Sequence, residues 1–278
     1  MKTKMKTKMK TKKIKNNRKV IFMQFVDLNS DVGESFGRYT IGYDEEVLKH
    51  ATSANIGCGF HAGDPLIMER TVEIAIKNGV QVGAHPGYPD LLGFGRRKLE
   101  ASPKEVYSYV LYQLGAFSAF AKAKKVKVQH LKAHGAMYNT AARDYDLAKA
   151  IAQAVSDFDN EMILLALANS EMVNAARDLG IKVAQEVFAD RAYDNDGFLV
   201  PRNKPGAMIE DEDLAIKRAI KMVKEGRVES MDGKEIGVKA DSICVHGDNP
   251  KAVQFAKRIR EGLETNGVKV APMREFIK

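Results

Sequence analysis

The sequence predicts an α/β fold, a parallel seven-stranded (β/α) barrel, and three observations support that prediction. Short apolar segments typical of strands alternate with helical patterns from residue 24 onward. Several of these segments, such as 163–167 and 243–245, are apolar without alternation, as strands covered on both faces are. No linker rich in Pro, Gly or Ser divides the chain, so we expect a single α/β barrel domain over residues 23–278.

The strand-like segments recur at intervals that leave room for a helix between them. In order they cover residues 25–28, 53–57, 80–84, 126–131, 162–167, 181–185 and 242–245, with a weaker segment at 268–271. Seven firm strands favour a barrel of seven strands rather than the usual eight.

Three of the intervening helices have clear start signals. Asp-Pro at 64–65 and Asn-Pro at 249–250 each place a capping side chain before a proline at the first helical position. Ser-Pro-Lys-Glu at 102–105 is a capping box that opens a long helix to about residue 124. The helix after residue 249 is expected to run through residue 262. Asp-Gly at 232–233 predicts a β-hairpin with a type I′ turn within 227–239.

The basic character of the chain is confined to its first residues. The net charge is +8, but residues 1–19 hold ten of the 44 Lys and Arg residues and no acidic residue, which leaves 34 basic against 36 acidic residues. We therefore expect residues 1–22 to be a disordered basic tail, or a non-native start with Met23 as the initiator. The near-neutral remainder predicts no nucleic-acid partner.

The lengths of the apolar runs and the number of cysteines exclude membrane-spanning proteins and proteins built on a disulfide framework. No run of 18 or more residues is free of charge, so we expect no membrane span and no membrane partner. Two cysteines, Cys58 and Cys244, cannot build a disulfide framework and fit a reducing cytoplasm.

Titratable residues cluster at or just beyond the carboxyl ends of the predicted strands. Five of the six histidines lie there, with Asp31, Glu34 and Lys132. Because these ends open on one face of a parallel barrel, the clustering predicts an active site. The candidate site residues are Asn29, Asp31, Asn55, His61, His85, Lys132, His134, Glu186, Arg191 and His246.

Asp31, His61 and His85 offer one carboxylate and two imidazoles, a set that binds divalent metals. They would come from three separate loops, without H-E-x-x-H or C-x-x-C spacing, so a metal-free polar pocket is the alternative. Lys132 with His134 is suited to stabilise an oxyanion and transfer protons. The alternative is a lysine paired with a strand-end carboxylate such as Asp27.

The polar segment 186–202 predicts a lid or a subunit contact, with a solvated loop as the alternative. Within it, Arg191 is suited to hold a substrate carboxylate. Neither a phosphate-binding G-x-x-x-x-G-K-[ST] motif nor a G-x-S-x-G elbow is present in the sequence. Cys58 is expected to be a small buried residue rather than a nucleophile. The residues alone therefore indicate a hydrolase- or lyase-like barrel that acts on a small polar substrate.

Six segments resemble, in order, the signatures of the LamB/YcsF family. They are VDLNSDVGESFG at 26–37, SANIGCGFHAGDP at 53–65, GAHPGYPD at 83–90, LKAHGAMYN at 131–139, EVFADRAY at 186–193 and VHGD at 245–248. The resemblance runs from about residue 25 to residue 278 and does not cover the N-terminal tail.

The resemblance implies the A component of the prokaryotic ATP-dependent 5-oxoprolinase, with a barrel of the glycoside hydrolase/deacetylase type. This enzyme opens 5-oxo-L-proline to L-glutamate, coupled to hydrolysis of ATP to ADP and phosphate, in a complex with subunits B and C. The expected catalytic residues are Asp31, His61, Lys132 and His134, and the remaining candidates bind substrate. Metal-using relatives in the superfamily employ an Asp-His-His set, which would match Asp31, His61 and His85. ATP is expected to bind a partner subunit because no phosphate-binding loop is visible. The alternatives are a stand-alone metal-dependent deacetylase or amidohydrolase, and a non-catalytic substrate-binding subunit.

Overall fold

A computed structural model of the chain describes residues 24–278; the predicted tail, residues 1–22, and Met23 lie outside the described residues. The strands are β1 (Gln24–Val32), β2 (Ser53–Gly57), β3 (Gln81–His85), β4 (His130–Leu131), β5 (Ile163–Leu167), β6 (Val183–Phe188), β7 (Arg227–Glu229), β8 (Glu235–Gly237), β9 (Ser242–Val245) and β10 (Val268–Val270). The helices are α1 (Asp44–Val47), α2 (Pro65–Lys77), α3 (Pro103–Ala123), α4 (Gly135–Ala141), α5 (Tyr145–Phe158), α6 (Glu171–Asp178), α7 (Glu212–Glu225) and α8 (Pro250–Thr265). A 3-10 turn, Met273–Glu275, follows β10.

Seven strands close into a parallel barrel, which confirms the predicted fold class. The order is β1-β2-β3-β4-β5-β6-β9, and β9 pairs back onto β1. The weak eighth segment is β10, which pairs with the first three residues of β1 and takes no part in closing the barrel. Helix α3 covers the barrel with side chains that are fully buried, such as Leu114 and Phe117.

Two strands are longer than the sequence predicts, and the difference moves site residues into the barrel. β1 continues four residues beyond the predicted end, and β6 continues to Phe188. Asn29, Asp31 and Glu186 therefore lie within strands rather than in the loops that follow. Their polar side chains interrupt the apolar pattern, which is why the pattern ended too early.

The predicted helix caps are confirmed at the amino ends of α2, α3 and α8. Asp64 accepts hydrogen bonds from the backbone N–H groups of Leu66 and Ile67, at 2.9 and 3.0 Å. The capping box between Ser102 and Glu105 is present, and Asn249 caps α8. Helix α8 ends at Thr265, three residues beyond the predicted end.

The predicted hairpin is present as β7 and β8, but the predicted type I′ turn is wrong. A type I′ turn needs positive φ at both central residues, whereas only Gly233 of the Asp-Gly pair has one, at +81°. The Gly233 N–H donates to the Ser230 carbonyl at 3.1 Å, so a turn over residues 230–233 with a left-handed glycine lies within the five residues, 230–234, that join the strands. Over the described residues, no helix is both long and apolar enough to cross a membrane.

Candidate active site

The carboxyl ends of the barrel strands open on a cavity of about 490 Å³. Six of the ten predicted site residues line it: Asp31, His85, Lys132, His134, Arg191 and His246. The other four, Asn29, Asn55, His61 and Glu186, are buried behind its wall. The predicted residues therefore form one site, in which six residues line the cavity and four lie buried behind them.

Lys132 lies at the base of the cavity with its ammonium group inside a ring of acceptors. Its Nζ is 2.9 Å from Asp31 Oδ1, 2.8 Å from Glu186 Oε1 and 3.1 Å from Asn29 Oδ1. Burial opposes the charge, but the Asp31 carboxylate, with that of Glu186, raises the pKa of Lys132 well above its usual range. Lys132 is thus a fixed cation. It pairs with Asp31 and Glu186, and the alternative partner, Asp27, binds hydroxyl groups instead.

Asp31 connects this lysine to the histidines. Its Oδ1 accepts from Asn55 Nδ2 at 2.7 Å and from Lys132, while its Oδ2 lies 3.5 Å from His85 Nε2. Burial alone would raise the pKa of Asp31, but His85 and Lys132 hold it well below its usual range. The side chain is 24% exposed, so a charged carboxylate oxygen reaches the cavity.

Glu34 belongs to the site, although it is not among the ten candidate residues predicted from the sequence. Its Oε1 is 3.0 Å from His61 Nε2 and 3.3 Å from His134 Nδ1. Despite burial, the close contacts with His134 and His61 hold the pKa of Glu34 below its usual range. Burial lowers the pKa of His61 to about 3. The available signal was the position of Glu34, two residues after β1 in the same motif as Asp31.

The atoms of Glu34, His61, His85 and His134 that could bind a metal all lie within 4.8 Å of one another. This group shares two histidines with the predicted metal set, and Glu34 occupies the place expected for Asp31. Imidazole and carboxylate groups in such proximity fit a divalent metal. The donor set therefore suits a Lewis-acidic ion at this end of the barrel.

Gly95 packs against this group of histidines, whereas Gly93 packs against Asp90 and Arg97. A Cβ at Gly95, where φ is +62°, would lie 2.7 Å from His61 Cβ and 2.8 Å from His134 Cδ2. Phe94, also left-handed at φ +53°, directs its carbonyl to His134 Nε2 at 2.8 Å. A non-glycine residue in this region stores of order 1 kcal/mol of strain, so the segment is held in place by its contacts.

The segment between β6 and α7 forms the opposite wall of the cavity. Residues 198–203 contribute most of that wall, and bridges at Arg191–Met208 and Tyr193–Leu199 order the segment. Arg191 is buried and donates to the Val200 carbonyl at 2.6 Å, while its Nε has no partner among the described residues. The segment is thus an ordered wall of the cavity.

His246 and Asp190 form a second ion pair at the cavity. His246 Nδ1 is 2.9 Å from Asp190 Oδ2. Burial opposes protonation, but Asp190 raises the pKa of His246 well above its usual range. The imidazolium form is therefore stable beside the cavity, where it can supply a proton.

The charge of the lining selects for anions. Five Arg and Lys residues line the cavity, and Asp31 is the single carboxylate among the described lining residues; the basic residues are Arg96, Lys132, Arg143, Arg191 and Arg202. Cys58 does not add a nucleophile, because burial raises the pKa of its thiol to about 12. A small anionic ligand fits this site best.

The matches to known proteins cover almost the whole described chain. The model of the LamB/YcsF family matches residues 26–278. A relative from Pyrococcus horikoshii, named as the A component of 5-oxoprolinase, is 56% identical over 253 residues, which cover 91% of this chain and 99% of the relative. The protein of the same name from Campylobacter jejuni subsp. doylei is 59% identical over 252 residues, with the same coverage. The crystal structure of a lactam utilization protein from Thermus thermophilus is 48% identical, with a TM-score of 0.84 over 88% of this chain and 98% of that one. This chain belongs to the LamB/YcsF family.

Proposed function

We propose that this chain is the A component of a cytoplasmic 5-oxoprolinase. In a complex with subunits B and C, it opens 5-oxo-L-proline to L-glutamate while ATP is hydrolysed to ADP and phosphate. The names of relatives at 56–59% identity support the activity. The observation that supports a catalytic role for this chain is the cationic cavity, with the charged Lys132–Asp31 pair at its base.

The cavity suits both the substrate and an activated form of it. 5-Oxoproline is a small ring that carries a carboxylate, and the guanidinium of Arg191, which lines the cavity, suits that group. The remaining cations suit a phosphoryl group. We assign the substrate carboxylate to Arg191 and the lactam oxygen to Lys132.

Activation precedes ring opening because an unstrained amide is a poor electrophile. The lactam oxygen attacks the γ-phosphorus of ATP, the bond to the bridging oxygen breaks, and ADP leaves. Water then adds to C5 of the phosphorylated ring and gives up a proton to Asp31. The C5–N bond then breaks with its electron pair on nitrogen, which takes a proton from His246, while the new C5 hydroxyl gives its proton to solvent and becomes the carbonyl of an acyl phosphate. A second water hydrolyses the resulting acyl phosphate to glutamate and phosphate.

The buried residues behind the cavity wall position the side chains that react. Glu186, Asn29 and Asn55 hold Lys132 and Asp31 in place, so their contribution to substrate binding acts through these two side chains. Since the sequence has no P-loop motif, we assign the ATP site to one of the partner proteins. A metal at the Glu34 and histidine group would supply Lewis-acid chemistry at this same end of the barrel.

Reconstitution with purified B and C subunits tests this proposal. We expect glutamate and ADP in equal amounts from 5-oxoproline and ATP only when all three subunits are present. Asp31→Asn should reduce glutamate release at least about a hundredfold while the subunits still co-elute on gel filtration. Asp196→Asn, an exposed carboxylate in the segment after β6, is the matched control and should leave turnover unchanged.

Two results would replace the proposal with an alternative. Glutamate formed by the isolated chain without nucleotide would identify a stand-alone amidohydrolase. Normal turnover of the complex with Asp31→Asn in place would assign this chain a binding or scaffold role.

A further inference from the structure

The tautomers of His85 and His134 leave two lone pairs facing each other at the mouth of the barrel. His85 Nδ1 is 2.8 Å from the Lys132 carbonyl, and His134 Nε2 is 2.8 Å from the Phe94 carbonyl. A carbonyl only accepts, so both of these outer nitrogens carry hydrogen. In neutral rings the inner nitrogens, His85 Nε2 and His134 Nδ1, are then both acceptors, yet they lie 3.0 Å apart. Such a pair needs a cation between its members, either a proton or a metal ion.

Glu34 supplies a third acceptor at matching distances. Its Oε1 lies 3.3 Å from His134 Nδ1 and 3.9 Å from His85 Nε2. A tetrahedral ion with bonds of roughly 2.1 Å holds its ligand atoms roughly 3.4 Å apart. The three separations lie on either side of that value. A proton would be shared by two of these atoms, whereas a metal ion would use all three.

His61 belongs to the same group but its ring faces the wrong way to be a ligand. It stacks on His134 with ring centroids 3.6 Å apart and planes within 4° of parallel. A histidine binds a metal in the plane of its ring, so two parallel stacked rings cannot both direct a lone pair at one ion. His61 Nε2 instead lies 3.0 Å from Glu34 Oε1, where it orients the carboxylate.

We propose that Glu34, His85 and His134 bind one divalent transition-metal ion such as Zn²⁺, with His61 as a positioning residue. Two imidazoles and a carboxylate suit this class of ion, and backbone carbonyls fix both ligand rings in the required tautomer. The two ligand histidines line the cavity, so the remaining coordination position faces it. Asp31 stays outside the set: its Oδ2 is 3.5 Å from His85 Nε2, but its carboxylate is not among the donor atoms that all lie within 4.8 Å of one another. The proposal does not depend on which substrate the chain acts on.

Metal binding to the full chain tests the site without reference to activity. The chain is stripped with a chelator and titrated with Zn²⁺ in a calorimeter, and bound metal is counted by elemental analysis. We expect one ion per chain, and a Co²⁺-loaded sample should show the visible absorption of a low-symmetry site. Glu34→Gln and His134→Asn should each weaken binding at least about a hundredfold, and His61→Asn about tenfold.

Two controls separate this ligand set from its alternatives. Asp31→Asn removes a neighbouring carboxylate of the same mouth and should leave Zn²⁺ affinity within a few-fold of the unsubstituted chain. His50→Asn removes a histidine outside the group and should have no effect. Far-ultraviolet circular dichroism confirms folding, and the near-isosteric Glu34→Gln keeps the test decisive if a buried histidine variant unfolds. Absence of stoichiometric binding, or an equal loss with Asp31→Asn and Glu34→Gln, would overturn the proposal.

Discussion

The barrel interior has a polar layer at each end of its strands, and the two layers treat a buried carboxylate in opposite ways. The lower layer, at the amino ends, consists of Asp27, Thr52, Ser53, Gln129 and Ser242. The upper layer, at the carboxyl ends, consists of Asp31, Glu34, His61, His85, Lys132 and His134. The two layers lie at opposite ends of the same closed sheet, so they differ in chemistry rather than in architecture.

Neutral donors surround the carboxylate of the lower layer. Asp27 accepts from Thr52 Oγ1 at 2.7 Å, Ser53 Oγ at 2.6 Å and Ser242 Oγ at 2.5 Å. Burial nevertheless raises its pKa to about 6. In the upper layer burial acts in the same direction, but cationic neighbours outweigh it and lower the pKa of Asp31. Hydroxyl groups therefore satisfy the hydrogen bonds of a carboxylate without offsetting the cost of burying its charge, and the pKa is lowered only where cations lie.

Removing Lys132, the lysine of the upper layer, should have the largest effect on stability and on turnover. Lys132→Met leaves Asp31 and Glu186 buried without their partner, which should lower the free energy of unfolding by about 3–5 kcal/mol. Glutamate release by the reconstituted complex should fall at least about a thousandfold, since the group that stabilises the lactam oxygen is lost. Lys257→Met breaks an exposed pair with Glu261 and should cost less than about 1 kcal/mol. Normal turnover of Lys132→Met would show that the charge of the upper layer is not catalytic.

Gly95→Ala should disturb the upper layer alone. The new Cβ would meet both stacked imidazoles, and φ at this position is +62°. We expect at least about a hundredfold loss of turnover, on the scale of a misplaced acid or base group. Gly79→Ala is the matched control, because Gly79 has φ +70° but no atom within 4 Å of the added Cβ. It should carry only the backbone strain of about 1 kcal/mol and leave turnover unchanged. Equal effects of the two substitutions on turnover would remove the steric argument.

Asp27→Asn should change stability in a pH-dependent way. The folded pKa of Asp27 is raised from 3.8 to about 6, so the folded state binds the proton more tightly and loses stability as pH rises through that window. The amide cannot ionise, so the variant should gain on the order of 1–3 kcal/mol relative to the unsubstituted chain between pH 4 and pH 7. Urea unfolding at a series of pH values measures the difference. Asp196→Asn, at an exposed site, should leave the profile unchanged, and a flat difference for Asp27→Asn would contradict the role of burial.

The two layers also differ in how far the sequence predicts them. Capping residues that come directly before a proline, such as Asp64, and apolar runs such as 163–167 are local signals. They predicted the elements and their order. The early end assigned to β1 shows the limit, because Asn29 and Asp31 look like loop residues until partners from distant strands surround them. Glu34 follows the left-handed Gly33, where φ is +67°, and contacts His61 and His134. No local pattern distinguishes Glu34 from Asp31 in that role.

The position of β1 in the barrel has a consequence for how the chain folds during synthesis. β1 pairs with β9 and β10, and Asp27 accepts a hydrogen bond from Ser242, 215 residues later in the sequence. At about 5–20 residues per second, the first strand leaves the ribosome roughly 10–40 s before that partner exists. An apolar strand left unpaired for so long would be a template for aggregation. Charged and amide side chains at alternate positions, Asp27, Asn29 and Asp31, keep the waiting strand polar on one face until the barrel closes.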